Sequence, residues 1–155
     1  MATKSVPAGY HSVTPYLIVD GAANAIEFYK NAFGATESMR MPTPDGRIAH
    51  AEITIGDSHI MLSDEHPEMG YRGPLSIGGA PVSLMVYVDD VDKTFKQALA
   101  AGAKEVRAVD NQFYGDRSGV LKDPFGHVWS ISTHIEDVAP EEMQRRAREW
   151  KSASA

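Results

Sequence analysis

The residues of this chain best suited to chemistry are His50 and Glu52, set two apart in Ile48-Ala-His-Ala-Glu-Ile-Thr-Ile55. The segment alternates like a strand, so the two side chains share one face. A carboxylate there can orient the imidazole and support it as a general base. Together with His134 the pair would also supply the two-histidine, one-carboxylate donor set of a metal site. The plain alternative is a solvent-facing strand edge with a surface ion pair. A second candidate is Tyr114-Gly-Asp-Arg117, in a long loop of the kind that carries function. Arg117 could clamp a carboxylate or phosphate, or simply anchor its loop through Asp116. His127 follows a glycine and reads as a turn residue, and His11 and His66 fall in loop-like segments with no role assigned.

The elements that must position these residues occur twice. Thr14-Pro-Tyr-Leu-Ile-Val-Asp20 begins one half and Ser83-Leu-Met-Val-Tyr-Val-Asp89 the other, about seventy residues apart. Each is followed by a helical stretch that stops at Gly-Ala, at Gly34 and Gly102. In the first half, strands are expected over 13–19, 36–41, 48–55 and 59–63. A helix is expected from Asp20 or Gly21 to about Ala32, with its apolar stripe on Ala22, Ile26, Tyr29 and Phe33. On the third strand, Ala49, Ala51, Ile53 and Ile55 should face the helices, leaving His50, Glu52 and Thr54 on the other side. In the second half, strands are expected over 82–88, 104–109, 117–122 and 127–133, with a helix over 91–101. Trp129 and Ile131 should pack on the helix side. A last helix over 140–150 presents Glu141, Glu142, Arg145, Arg146 and Arg148 to solvent and docks through Met143, Ala147 and Trp150. The resulting organisation is a first β-α-β-β-β module at 12–64, a glycine- and proline-rich connector at 65–81, a second module at 82–135 and a C-terminal helix and tail at 136–155.

Composition narrows the function. The chain has 155 residues, a formal charge of −6 and no cysteine. Thiolate metal sites, disulfides and cysteine nucleophiles are excluded. The charge argues against a nucleic-acid partner. The N-terminus lacks the apolar run of a signal peptide, and no segment has the roughly 18 apolar residues of a membrane span, so a cytoplasmic protein is expected.

The paired units resemble the vicinal-oxygen-chelate superfamily, the group of glyoxalases, bleomycin-resistance proteins and extradiol dioxygenases. The resemblance covers about residues 12–135 and is most specific at Tyr114-Gly-Asp-Arg-Ser-Gly-Val-Leu-Lys-Asp-Pro-Phe-Gly-His-Val-Trp129, above all Asp123-Pro-Phe-Gly-His127; Leu17-Ile-Val-Asp20 with Phe28-Tyr29 adds to it. Within the superfamily the chain looks like the small glyoxalase-like bacterial branch. The resemblance implies an α+β fold whose two β-α-β-β-β modules form a cup-shaped curved sheet with helices on the convex face. In catalytic members, ligands on matching inward positions hold a divalent cation that acts as a Lewis acid. The family's first-strand ligand falls five residues before the valine ending the strand, which is Thr14 here, with Ser83 as its second-module match. The last-strand glutamate falls four residues after the turn glycine, at Ser130. Three neutral hydroxyls would not retain a transition metal.

If those positions face inward, alternation places Tyr16 and Ile18, Met85 and Tyr87, and Ser132 and His134 beside them. His59, Met61 and Ser63 would line the cup from the fourth strand, and Arg117 with Tyr114 and Asp116 from the second module. The reading is a cup for a small organic molecule with no cofactor or metal, in a homodimer with no nucleic-acid or membrane partner. Its catalytic residues are His50 and Glu52. Its binding residues are Thr14, Tyr16, Met61, Ser83, Met85, Tyr87, Tyr114, Arg117, Ser130, Ser132 and His134. Two rival functions stand beside it: a metal-dependent lyase or dioxygenase with ligands relocated to His50, Glu52 and His134, and a non-catalytic protein that sequesters a drug or metabolite.

Overall fold

A computed structural model describes residues 2–154. The first half runs β1 (Tyr16–Val19), α1 (Ala22–Phe33), β2 (Thr36–Pro42), β3 (Ile48–Ile55) and β4 (Ser58–Asp64). A 3-10 turn (Pro67–Met69) and α2 (Pro74–Ile77) give the connector local structure that its glycines and prolines had not revealed. The second half runs β5 (Leu84–Tyr87), α3 (Val91–Ala100), β6 (Lys104–Asn111), β7 (Asp116–Lys122) and β8 (Val128–His134), and α4 (Pro140–Ala153) follows. The strands form two sheets of equal topology, β1-β4-β3-β2 and β5-β8-β7-β6. In each, the first and last strands are parallel and the others antiparallel.

Each sheet buries one face under helices. Leu17, Val19, Ala51, Ile53, Ile60 and Leu62 meet the stripe of α1 (Ala22, Ala25, Ile26 and Tyr29), and all are buried. Leu121, Trp129 and Ile131 do the same beneath α3, whose Val91, Phe95 and Ala98 are buried. Both halves share one core. The α1 and α3 helices pack on each other. An aromatic seam joins Tyr29 and Phe33 to Trp129 at centroid distances of 5.5 and 4.8 Å, and Phe28 to Phe125 at 6.3 Å.

Two buried aspartates set the corners. The Asp64 carboxylate accepts the Gly21 and Ala22 N–H groups at the start of α1 and the Ile48 N–H at the start of β3, at 2.7–2.9 Å. This remote cap replaces the side-chain cap that Gly21 cannot provide. Asp123 accepts the Phe125 and His127 N–H groups of its own turn, and also the Tyr29 hydroxyl at 2.6 Å and the Trp129 indole N–H at 3.0 Å. Burial, then the Asp123 charge, holds the Tyr29 phenol well above its ordinary pKa. His127 sits in the expected turn, but its Nε2 also bonds the Ile18 carbonyl at 3.0 Å, fastening the halves together. Tyr16, Leu17 and Ile18 of β1 share the lining of a cavity of about 290 Å³ with Arg72 and with Pro81, Val82 and Leu84 at the entry to β5. The two sheets therefore adjoin within one chain.

Several elements differ from expectation. The first strand starts at Tyr16 rather than Val13, since Pro15 has no N–H to pair, although its carbonyl accepts the Met61 N–H. In β3, Met41 pairs with His50 and Pro42 with Ile48, leaving Ala49 in a bulge. Ala49 is consequently exposed, while Ile48 is buried. The α4 helix has no buried residue, and Trp150 is 55% exposed, resting against Phe113 at 5.8 Å. Its hold is polar: Arg146 pairs with Glu136 and Glu142 and reaches the Phe113 carbonyl.

Candidate functional site

The face of each sheet opposite the helices is open. On the first sheet, register carries Tyr16, Met61, Glu52 and Met39 across one row and His50 and Met41 along the next. The hydrogen bonds here form a chain. The Tyr16 hydroxyl lies 2.8 Å from His50 Nδ1, and His50 Nε2 lies 3.0 Å from Glu52 Oε1. The Tyr10 hydroxyl donates to Glu52 Oε2. Since β4 separates β1 from β3, the Tyr16 ring must lie across β4 to reach His50. Tyr10 comes from the segment before β1, and its ring stacks on His59 at 4.0 Å and 13°. The turn before it requires Gly9, with φ of +83° and space beside His59 that a Cβ would reduce to 3.2 Å.

These contacts fix the ionisation. The Tyr10 hydroxyl, and then His50, hold Glu52 below the usual glutamate range, while the same carboxylate raises the Tyr10 phenol. An ionised carboxylate only accepts hydrogen bonds. His50 therefore carries a proton on Nε2, and in the neutral ring Nδ1 is the acceptor facing the Tyr16 hydroxyl.

The second sheet bears a different cluster. Tyr87 spans β8 to donate to Asp116 Oδ2 at 3.0 Å, and His134 Nδ1 meets Asp116 Oδ1 at 2.8 Å. His134 Nε2 is 2.8 Å from Asp137. Asp137, then Asp116, raises the His134 pKa, and Asp116 raises that of Tyr87, with Tyr114 near enough to add to the effect. Ser132 bonds Ser118 beneath, and both are buried. Tyr114 is carried by a loop in which Gly115 (φ +99°) passes so close to Glu136 that a Cβ would stand 2.2 Å from its carbonyl oxygen.

The sequence-predicted residues thus divide. Tyr16, His50, Glu52 and Met61 lie on the open face of the first sheet, and Met85, Tyr87, Ser130, Ser132 and His134 on that of the second. Ser83 precedes β5 and is exposed. Arg117 is a correction. It lies on the helix side, two residues before Gly119, where a Cβ would meet Phe95. There Arg117 makes a two-pronged ion pair with Asp92 at 2.8 and 2.9 Å and a bond to Asn111. Strand β7 begins at Asp116, one residue earlier than expected, and its register sets Asp116 opposite His134 on the open face and Arg117 opposite Thr133 on the other. Sequence reasoning gave no role to Tyr10, because a tyrosine in a lead-in segment carries no periodicity to place it. It also gave none to Asp137, which lies beyond the last strand.

Two hollows adjoin these groups. One of about 630 Å³ runs between the halves, with His11, Thr14, His59, Met85 and Tyr87 among its lining and Phe33 and Trp129 also reached. Another of about 450 Å³ lies under residues 5–12, with Thr14, Glu52 and Met61 on its other side. Neither is lined by Lys or Arg.

The inherited metal positions can be compared directly. Tyr16 pairs with Met61 as Met85 pairs with Ser130, so Met61 is the first-half counterpart of Ser130. The set is then Thr14, Met61, Ser83 and Ser130: three hydroxyls and a thioether, which do not fit a divalent cation. Among the described residues no three His, Asp or Glu side chains converge to hold a metal. His134 is engaged by Asp116 and Asp137 rather than joined to the His50–Glu52 pair.

Comparison with known proteins supports the same lineage. The uncharacterized protein Rv0887c of Mycobacterium tuberculosis is 46% identical over 147 residues, covering 93% of this chain and 84% of that protein. Protein PA1353 of Pseudomonas aeruginosa has a similar structure, with a TM-score of 0.66 at 26% identity over 81% of this chain and 99% of that one. TioX of Micromonospora sp. ML1 aligns with a TM-score of 0.61 at 24% identity, covering 83% of this chain and all (100%) of TioX. Residues 9–131 match the family model of the Glyoxalase/Bleomycin resistance protein/Dioxygenase superfamily, and the chain belongs to that superfamily.

Proposed function

We propose that this protein binds a small organic molecule on the open face of its sheets without the superfamily's metal, and that His50 and Glu52 serve proton transfer to it. The observation that carries this reading is the Tyr16–His50–Glu52–Tyr10 hydrogen-bonded row, whose Tyr10 and Glu52 line the hollow of about 450 Å³, in a chain whose inherited metal positions hold Thr14, Met61, Ser83 and Ser130. Methionines and tyrosines supply apolar contact, while hydroxyls and carboxylates orient polar groups. Substrate contacts are assigned to Thr14, Tyr16, Met61, Met85, Tyr87, Tyr114, Ser130, Ser132 and His134, with Ser83 at the rim. The protein is proposed to act in the cytoplasm as a homodimer. The outermost strands β2 and β6 leave free edges that favour pairing.

The test is to identify small molecules that raise the melting temperature of the purified protein in chelator, then repeat the measurement with Glu52→Gln. Stabilisation that persists in chelator and falls in the variant is expected. Stabilisation that appears only on adding a divalent metal would favour the metal-dependent reading. Turnover of a bound compound would separate an enzyme from a sequestering protein, the second reading that the metal-poor site favours.

A further inference from the structure

The donors and acceptors of the first sheet point past His50 to a different contact atom. Both His50 nitrogens are occupied, Nδ1 by Tyr16 and Nε2 by Glu52, and both Glu52 oxygens are occupied, by His50 and Tyr10. The side chains of His50 and Glu52 are only 23% and 15% exposed, whereas Tyr16 is 46% exposed. A hydroxyl, an imidazole and a carboxylate thus stand in series, with the hydroxyl outermost. This is the order in which a base activates a hydroxyl and a third group holds the base in one tautomer.

We propose that Tyr16 is the group that meets the ligand, activated by His50 as proton acceptor and Glu52 as its anchor, and that the ligand is a largely apolar molecule bearing a carbonyl. Met61, paired with Tyr16, and Met85, paired with Ser130, favour an apolar body. The inference rests on the proposed use of this face for ligand binding, and names the atom that does the work. His50 is then a positioning and proton-accepting residue behind Tyr16.

The relay can be probed without the natural ligand, using p-nitrophenyl acetate. Tyr16 Oη forms a bond to the acetyl carbon, the bond to p-nitrophenolate breaks, and the phenol proton passes to His50 Nδ1. Acetyl-Tyr16 and p-nitrophenolate are the products, and the imidazolium returns its proton to water. Peptide mapping should find one acetyl group per chain, on Tyr16 in preference to the exposed Tyr71 and Tyr87. Release should fall about a hundredfold in Glu52→Gln, the low end of general-base assistance, and the labelled site should vanish in Tyr16→Phe.

Acetylation spread evenly over surface tyrosines and lysines, or a Tyr16 rate unchanged in Glu52→Gln, would overturn the relay. Circular dichroism and urea unfolding of each variant distinguish a lost relay from a lost fold. Failure here with ligand stabilisation intact removes only the relay. Specific acetylation with no ligand stabilisation removes only the binding reading.

Discussion

The two halves share a topology and a helix arrangement, yet their open faces carry opposite chemistry. In the first, a histidine stands between a tyrosine and a carboxylate; in the second, a carboxylate stands between a tyrosine and a histidine. In both, a tyrosine from the first strand crosses the last strand to reach the third, but the positions are not equivalent. Tyr16 corresponds to Met85 by register, and Tyr87 to Ile18. Repetition of the scaffold therefore constrains the buried face, where apolar residues recur in register, and leaves the open face free to diverge. The end group opposite the tyrosine differs in its electrostatics. Glu52 is held ionised by hydroxyl and imidazole donors, while His134 is drawn towards its charged form by two aspartates.

The largest expected effects break the shared scaffold. Asp123 satisfies a buried phenol, a buried indole N–H and two backbone N–H groups, so Asp123→Ala should cost about 3–5 kcal/mol in urea unfolding. Ile53 and Ile131 occupy buried positions in the two halves. Each truncation to alanine should cost about 2–5 kcal/mol, whichever half carries it. His50→Ala and Glu52→Gln should change stability far less than these and should weaken ligand stabilisation.

The pH response should separate the halves by sign. Glu52 has a lowered folded pKa, so its contribution is present above the unfolded carboxylate value and is lost as pH falls through the folded one. His134 has a raised folded pKa, so its contribution is full below the unfolded imidazole value and is lost as pH rises through the folded one. Melting temperatures measured against pH should therefore lose part of their acid-side slope in Glu52→Gln, and part of their slope above the ordinary histidine range in His134→Ala. The smallest effect should come from Arg117→Ala. Its pair with Asp92 is open to solvent and screened by it, so unfolding should barely shift, and ligand stabilisation should not change.

What could be read from the chain follows from where the signal lies. Alternation and helical spacing are imposed by burial, so the strands, the helices and the helix-side placement of Trp129 were legible. The bulge at Ala49 was not, because a run of alternating small and apolar residues hides a single unpaired position. Arg117 was misplaced because it was read with its loop; its place opposite Thr133, in alternation with Gly119 and Leu121, sets it on the helix side. His50 and Glu52 were legible as a pair on one face. Their bonds to Tyr16 and Tyr10 were not, since they depend on contacts 34 and 42 residues apart in sequence. The structural role of Asp123, joining both halves through Tyr29 and Trp129, was likewise hidden in what reads as an ordinary turn.

The central claim is that the first half's hydrogen-bonded row, rather than a metal at the inherited positions, serves the ligand. The most direct test is a thermal-shift screen of carbonyl compounds in chelator, run side by side on the wild-type protein and His50→Ala. The account predicts compounds that stabilise the wild type without added metal and lose most of that effect in the variant, with both proteins folded. Stabilisation that requires a divalent metal, or that is identical in His50→Ala, would contradict it.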